Sequence, residues 1–142
     1  MSTTPKEPLT RFVTPREAQV EQQPWCQCDW LCRPGLVDAE NLLVVRAHMP
    51  PGKAHRFHRH PEAEEVIYIL SGQAEQWVDR ERRILSPGDV AHIPMNTPHA
   101  TRNVSNEVLL FLAILSPASA DGPTTVDAFE EEPWRSIELD LQ

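Results

Sequence analysis

The sequence predicts an all-β domain folded as a sandwich or barrel. Three observations predict it. About eight short strand-forming runs follow one another between Leu42 and Leu115. Turn signals interrupt them roughly every eight to twelve residues, the spacing of sandwiches and barrels. The 14 prolines and 5 glycines fall mainly where strands should end, and no convincing helical period intervenes.

The elements follow in order. Residues 1–24 are polar and carry Pro5, Pro8, Pro15 and Pro24, which reads as an arm with room for one short strand. Trp25 to Cys32 opens the packed region, and Arg33-Pro34-Gly35 is a turn. Leu42 to Met49 is rich in apolar and β-branched residues and is stopped by Pro50-Pro51-Gly52. Ala54–His60, Glu65–Leu70, Gln73–Val78, Arg83–Leu85, Val90–Ile93 and His99–Val104 follow as strands. Val108–Leu115 is the longest apolar run and stops at Ser116-Pro117. The barrel therefore spans 25–117, and 118–142 is an irregular tail. In that tail, Asp127-Ala128-Phe129-Glu130 reads as a helical turn, and Ser136 to Leu141 alternates like an edge strand.

Composition limits what the chain does. Its 142 residues make one ordinary domain. A net charge of -8 disfavours nucleic acid, whose binding rests on Lys and Arg neutralising phosphates. No apolar run approaches the ~20 residues that span a bilayer, and the N-terminus lacks the apolar stretch of a signal peptide. The expectation is a cytoplasmic protein with no membrane partner. Cys26, Cys28 and Cys32 are odd in number and match no common zinc spacing, so they read as free, partly buried thiols.

One stretch carries chemistry. His58 and His60 stand at i and i+2, so a strand aims both imidazoles to one side. Glu65 lies across a short turn and can bring a carboxylate to the same point. Further imidazoles occur downstream, at His92 and His99. Three neutral imidazoles and a carboxylate form a mixed N/O site for a divalent first-row metal.

These residues resemble the cupin superfamily, in its small single-domain form. The first motif of that family, G-x5-H-x-H-x3-4-E-x6-G, is filled by Gly52, His58, His60, Glu65 and Gly72. The second, G-x5-P-x-G-x2-H-x3-N, is filled by Gly88, Pro94, His99 and Asn103, with Asn96 in the place of a glycine. Asn tolerates left-handed backbone best after Gly, so the turn is expected to survive. The resemblance covers about residues 52–103. It implies a double-stranded β-helix, a jelly-roll barrel. It also implies one divalent transition metal near the barrel mouth, held by His58, His60, Glu65 and His99. Glu64 satisfies a looser spacing, but the step to Gly72 favours Glu65. Four protein ligands on an ion that prefers six leave two positions open. Iron or manganese is favoured, and nickel, cobalt and zinc are compatible.

Strand alternation names the pocket wall. If His58 and His60 face inward, so do Ala54 and Arg56, and His55 faces away. If Glu65 faces inward, so do Ile67 and Ile69, with Tyr68 outside. Thr101 follows His99. Arg46 shares a face with His48, and an inward Arg46 or Arg56 would suit an anionic substrate. Arg46, Arg56 and His92 are candidate pocket residues, each weighed against a surface role. Val108–Leu115 is apolar on both faces, which calls for cover from the tail or from a second copy, and a homodimer is expected. Trp25, Trp30, Trp77 and Trp134 serve that interface or the core.

The functional expectation is a mononuclear metal-dependent enzyme on a small-molecule substrate, dioxygenase-like in first place. Metal-assisted isomerase or lyase chemistry on a sugar or small acid is the alternative, as is a non-catalytic binding barrel. A sensor of this shape would ordinarily carry a DNA-binding helix-turn-helix, and this acidic chain has none.

Overall fold

The alternation read from the sequence becomes strands with one face inward. A computed structural model describes residues 9–119 and 123–141. The start of the arm, with Pro5 and Pro8, lies outside the described residues. Strand β3 (Leu43–Met49) buries Leu43, Val45, Ala47 and Met49 and turns Val44, Arg46 and His48 outward. Strand β10 (Leu109–Ser116) buries Leu109, Phe111, Ala113 and Leu115 in the same way. Strand β5 (Glu64–Ser71) buries Glu65, Ile67 and Ile69 and leaves Tyr68 37% exposed, as the alternation predicts.

These strands form the middle of a six-stranded sheet, ordered β1-β2-β3-β10-β5-β8. Its edges are β1 (Gln19–Gln22) with β2 (Gln27–Cys32), and β8 (Val90–Ile93). The short strand expected in the arm is thus β1, hydrogen-bonded to β2 as part of the sheet. A second sheet of five strands runs β11-β4-β9-β6-β7. Its members are β4 (Ala54–Arg59), β6 (Ala74–Val78), β7 (Glu81–Leu85), β9 (His99–Arg102) and β11 (Val126–Asp127). All strand pairs within the two sheets are antiparallel, and the main apolar core lies between the sheets. The jelly-roll expectation holds.

The tail differs from its expectation. Val126–Asp127 is a short strand against Arg59 and His58 of β4, and the turn expected over Asp127–Glu130 begins one residue later, closed by Glu131 N–H donating to Ala128 O at 3.1 Å. Trp134–Asp140 is a helix, α1, rather than an edge strand. Its Trp134 and Ile137 pack with Phe57, Ala100, Ala128 and Phe129 on the outer side of the five-stranded sheet. A six-residue alternation fits both periods, and the apolar residues at i and i+3 meet that second cluster as a helix. The described residues of the tail thus pack on the five-stranded sheet, while Leu110, Leu112 and Ile114 on the outer face of β10 are partly exposed.

Two turns depend on left-handed backbone. Asn96 sits at φ 58° in the position where the motif has glycine. Gly72 sits at φ 83°, and an added Cβ would stand 2.9 Å from the Val108 carbonyl oxygen. No helix among the described residues is long and apolar enough to cross a membrane.

Candidate metal centre

The centre joins the two sheets. His58 comes from β4, His60 directly follows that strand, and His99 opens β9. Glu65 reaches across from β5 of the other sheet. All four are buried, and their ligand atoms lie within 4.8 Å of one another.

Each imidazole is oriented by a backbone carbonyl. The Nδ1 of His58 lies 2.6 Å from the Arg56 carbonyl oxygen, that of His99 2.9 Å from Thr97 O, and that of His60 3.1 Å from Thr124 O. A carbonyl only accepts, so each Nδ1 carries the proton and each Nε2 keeps its lone pair. Those Nε2 atoms face the carboxylate. His60 Nε2 is 3.3 Å and His99 Nε2 3.0 Å from Glu65 Oε1. Yet Glu65 Oε1 and His99 Nε2 are buried without a hydrogen bond of acceptable alignment. Lone pairs and a carboxylate oxygen that converge without bonding each other are what a cation requires. Harder O and borderline N donors together suit a divalent first-row ion, so the residues present fit the metal the sequence implies.

The charge pattern agrees for the Glu65 carboxylate and the neutral His58 imidazole. Burial opposes ionisation of Glu65, but the neighbouring His60 and His99 outweigh it and hold the carboxyl well below its ordinary range. Burial drives His58 well below its ordinary value, helped by His55 and His99. His60 is also opposed by burial, but Glu65 overrides it and raises the imidazole.

A cavity of about 340 Å³ opens beside the centre. Ile67 and Thr101 line it, as alternation predicts, and Phe111 and Leu115 of β10 add apolar wall. The hairpin of β1 and β2 contributes Trp25, Cys28 and Trp30, and Arg33 stands at 4.8 Å over the Trp30 ring. Trp25 and Trp30 thus serve cavity and core, while Trp77 and Trp134 pack under the tail.

Several placements need correction. Alternation puts Arg56 and Ala54 inside and His55 outside, and the structure does the reverse. Between the pairs His55↔Thr101 and His58↔His99, β4 spends three steps where β9 spends two. That bulge flips the parity. His55 lines the cavity and stacks on His58 at 3.6 Å between ring centroids, with Trp25 on its other face at 4.0 Å. Burial lowers His55 to about 3, so it is neutral. Arg56 points outward, bonds Glu138 and covers the Phe129 ring at 3.6 Å. Arg46 lies on the outer face of β3, bound with His48 to buried Asp29. His92 is exposed and meets Glu64 at 2.9 Å, which removes Glu64 from the ligand contest. Sequence reasoning missed His55 because a bulge leaves no mark on composition. It missed Trp25, Trp30 and Arg33 because they lie outside the motifs.

The sequence model of the family described as "Cupin domain" matches residues 45–115, half of the chain. Quercetin 2,3-dioxygenase of Bacillus subtilis is 38% identical over 61 residues, which is 43% of this chain and 18% of that enzyme. The pectin degradation protein KdgF of Dickeya dadantii is 26% identical over 102 residues, 71% of this chain and 92% of that protein. The solved structure of KdgF from Halomonas sp. superposes with a TM-score of 0.69 over 79% of this chain and 97% of that one, at 23% identity.

Proposed function

This chain belongs to the cupin family, and from that premise we propose that it is a metal-dependent enzyme that oxidises a small enolisable or aromatic compound with dioxygen. The observation that carries the metal dependence is the set of three imidazoles, each with its Nδ1 proton on a backbone carbonyl, gathered with one buried carboxylate so that the four ligand atoms lie within 4.8 Å of one another. His58, His60, Glu65 and His99 would hold a divalent ion, which would supply Lewis acidity when bound. The protein supplies the rest. Glu65 brings one fixed negative charge, so a substrate monoanion is balanced by the loaded centre. Trp25, Trp30 and Phe111 offer flat apolar walls to a planar compound, and Arg33 offers a cation at the rim. Leu43, Ile67 and Leu115 exclude water from the inner end. The likeness to quercetin 2,3-dioxygenase supports the oxidative reading.

A second reading, lyase or isomerase chemistry on a sugar or small acid, is favoured by the match that covers 92% of a pectin degradation protein. One experiment separates them. Metal-loaded protein is given a panel of enolic and aromatic compounds and a panel of sugar acids, while dissolved oxygen and products are followed. Oxygen uptake that is lost on chelation and in His58→Ala supports the dioxygenase. Turnover that persists without oxygen replaces it with the second reading. Binding without turnover of any compound assigns the barrel to ligand binding alone.

We also propose a homodimer, formed through the outer face of the six-stranded sheet. Val66, Leu110, Leu112 and Ile114 make an apolar centre there, and Tyr68, Leu70 and Val90 are at least 36% exposed. Ion pairs flank it on both sides, Arg46 and His48 with Asp29, and Glu64 with His92. An apolar centre with a polar rim is the anatomy of an interface between copies. Five strands of about seven residues give roughly 500 Å² of flat sheet, which side-chain relief and the flanks extend toward the ~800 Å² that a subunit contributes to a stable contact. Light scattering is expected to give the dimer mass for the native chain and the monomer mass for Leu112→Glu. A monomeric native chain overturns the proposal.

A further inference from the structure

Two thiols stand side by side, one of them in the wall of the cavity, and neither takes part in the metal centre. Cys26 ends the turn that joins β1 to β2, and Cys28 is the second residue of β2. Their Sγ atoms are 3.1 Å apart, and both residues are buried, at 3% and 5% exposure. Cys28 lines the cavity, so a small molecule that reaches the metal centre also reaches its sulfur. Closure to a bonded pair needs the sulfurs to approach by only about 1 Å, since a disulfide spans ~2.05 Å. Cys26 closes the turn between β1 and β2, where Gln23 N–H donates to Cys26 O at 2.8 Å and Cys26 N–H donates to Gln23 O at 3.3 Å, so the approach falls to the two side chains.

We propose that Cys26 and Cys28 are a redox-active dithiol that a hydroperoxide entering the cavity converts into an intramolecular disulfide. The Cys28 sulfur attacks one peroxide oxygen, the O–O bond breaks, and Cys28 becomes a sulfenic acid while water leaves. The Cys26 sulfur then attacks the Cys28 sulfur, the S–O bond breaks, and the hydroxyl leaves as a second water with the Cys26 proton. Two thiols and one hydrogen peroxide thus give one disulfide and two waters. The division of labour follows the cavity. Cys28 lines it, with Cys26 beside it at 3.1 Å between sulfurs, so an entering peroxide meets Cys28 first. Cys28 is therefore the nucleophile and Cys26 the resolving thiol.

The site has a route to the metal centre. Trp25 precedes Cys26, stacks on His55, and His55 stacks on the ligand His58.

The test is intact mass of the full-length protein before and after a stoichiometric dose of hydrogen peroxide. The expected result is a loss of two hydrogens in the native chain and in Cys32→Ser, and no loss in Cys26→Ser. Cleavage on the N-terminal side of Asp29 separates Cys32 from the pair, so the native chain alone locates the bond even where a serine variant fails to fold. The linkage is expected within the peptide that holds Cys26 and Cys28. Oxygen addition without loss of hydrogens, a bond that includes Cys32, or three titratable thiols surviving the dose overturns the proposal.

Discussion

Glu138 of α1 is the clamp that holds the tail on the ligand-bearing strand, and Glu138→Ala measures it. The bulge in β4 leaves the Phe57 N–H without a β9 partner, and Glu138 Oε1 accepts it at 3.2 Å. Glu138 Oε2 takes Arg56 Nε and NH2 at 3.0 and 2.8 Å. Phe57 is fully buried, so removal of the carboxylate strands its N–H, which costs about 1–3 kcal/mol. The Arg56 side chain is half-exposed at 52%, and its ion pair adds only about 0.5 kcal/mol. The total is about 1.5–3.5 kcal/mol. A chain of this length has an unfolding entropy near 0.3 kcal/mol/K, so Tm should fall by roughly 5–12 °C. Glu138→Gln keeps an acceptor for Phe57 and should lose only about 1 kcal/mol. Thermal and urea unfolding of the three proteins check this. An alanine variant within about 1 °C of the parent, or equal to the glutamine variant, refutes the clamp.

Three further outcomes follow from the structure. Asp29 is held below its ordinary value, since its bonds to Gln27, His48 and Arg46 outweigh the opposing effect of burial. A depressed folded value means stability that is present above the unfolded value of ~3.9 and lost as pH falls through the folded one. Asp29→Asn should therefore cost about 1–3 kcal/mol at pH 7 and almost nothing near pH 2, read from urea midpoints across pH. Gly72→Ala places a Cβ 2.9 Å from Val108 O and 3.1 Å from Leu109 Cα at φ 83°, both backbone atoms that cannot move aside. It should cost roughly 2–5 kcal/mol in urea unfolding. Chelation should lower the stability of the loaded protein by about 2.7 kcal/mol relative to metal at 100 times its Kd, seen as a lower Tm that readdition restores.

The sequence was legible where one pattern meets one environment. The alternation of Leu43 to Met49 and of Leu109 to Leu115 sits between a core and an outer face, and period 2 is decisive there. His58, His60, Glu65 and His99 were readable because strand spacing and turn length fix where they aim. Legibility failed where geometry departs from the period. The extra residue between His55 and His58 exchanges the places of His55 and Arg56, and nothing in Ala-His-Arg-Phe-His announces it. The tail failed for another reason. Ser136 to Leu141 fits a strand or a helix equally over so short a length, and only Phe57, Ala100 and Ala128 waiting on the sheet decide for the helix. Arg46 and His92 were undetermined until the structure supplied Asp29 and Glu64 as partners.

The fold thus sets one imidazole on a strand and another just past its end, a third on the neighbouring strand and a carboxylate on the facing sheet, with the imidazole protons turned away from the shared point. The measurement that tests this most directly is elemental analysis of the untagged protein, purified without added metal, beside His58→Ala. The account predicts near one equivalent of a divalent first-row metal in the native chain and its loss from a folded variant. A native chain that holds no metal, and takes up none when offered iron, manganese, nickel, cobalt or zinc, contradicts it.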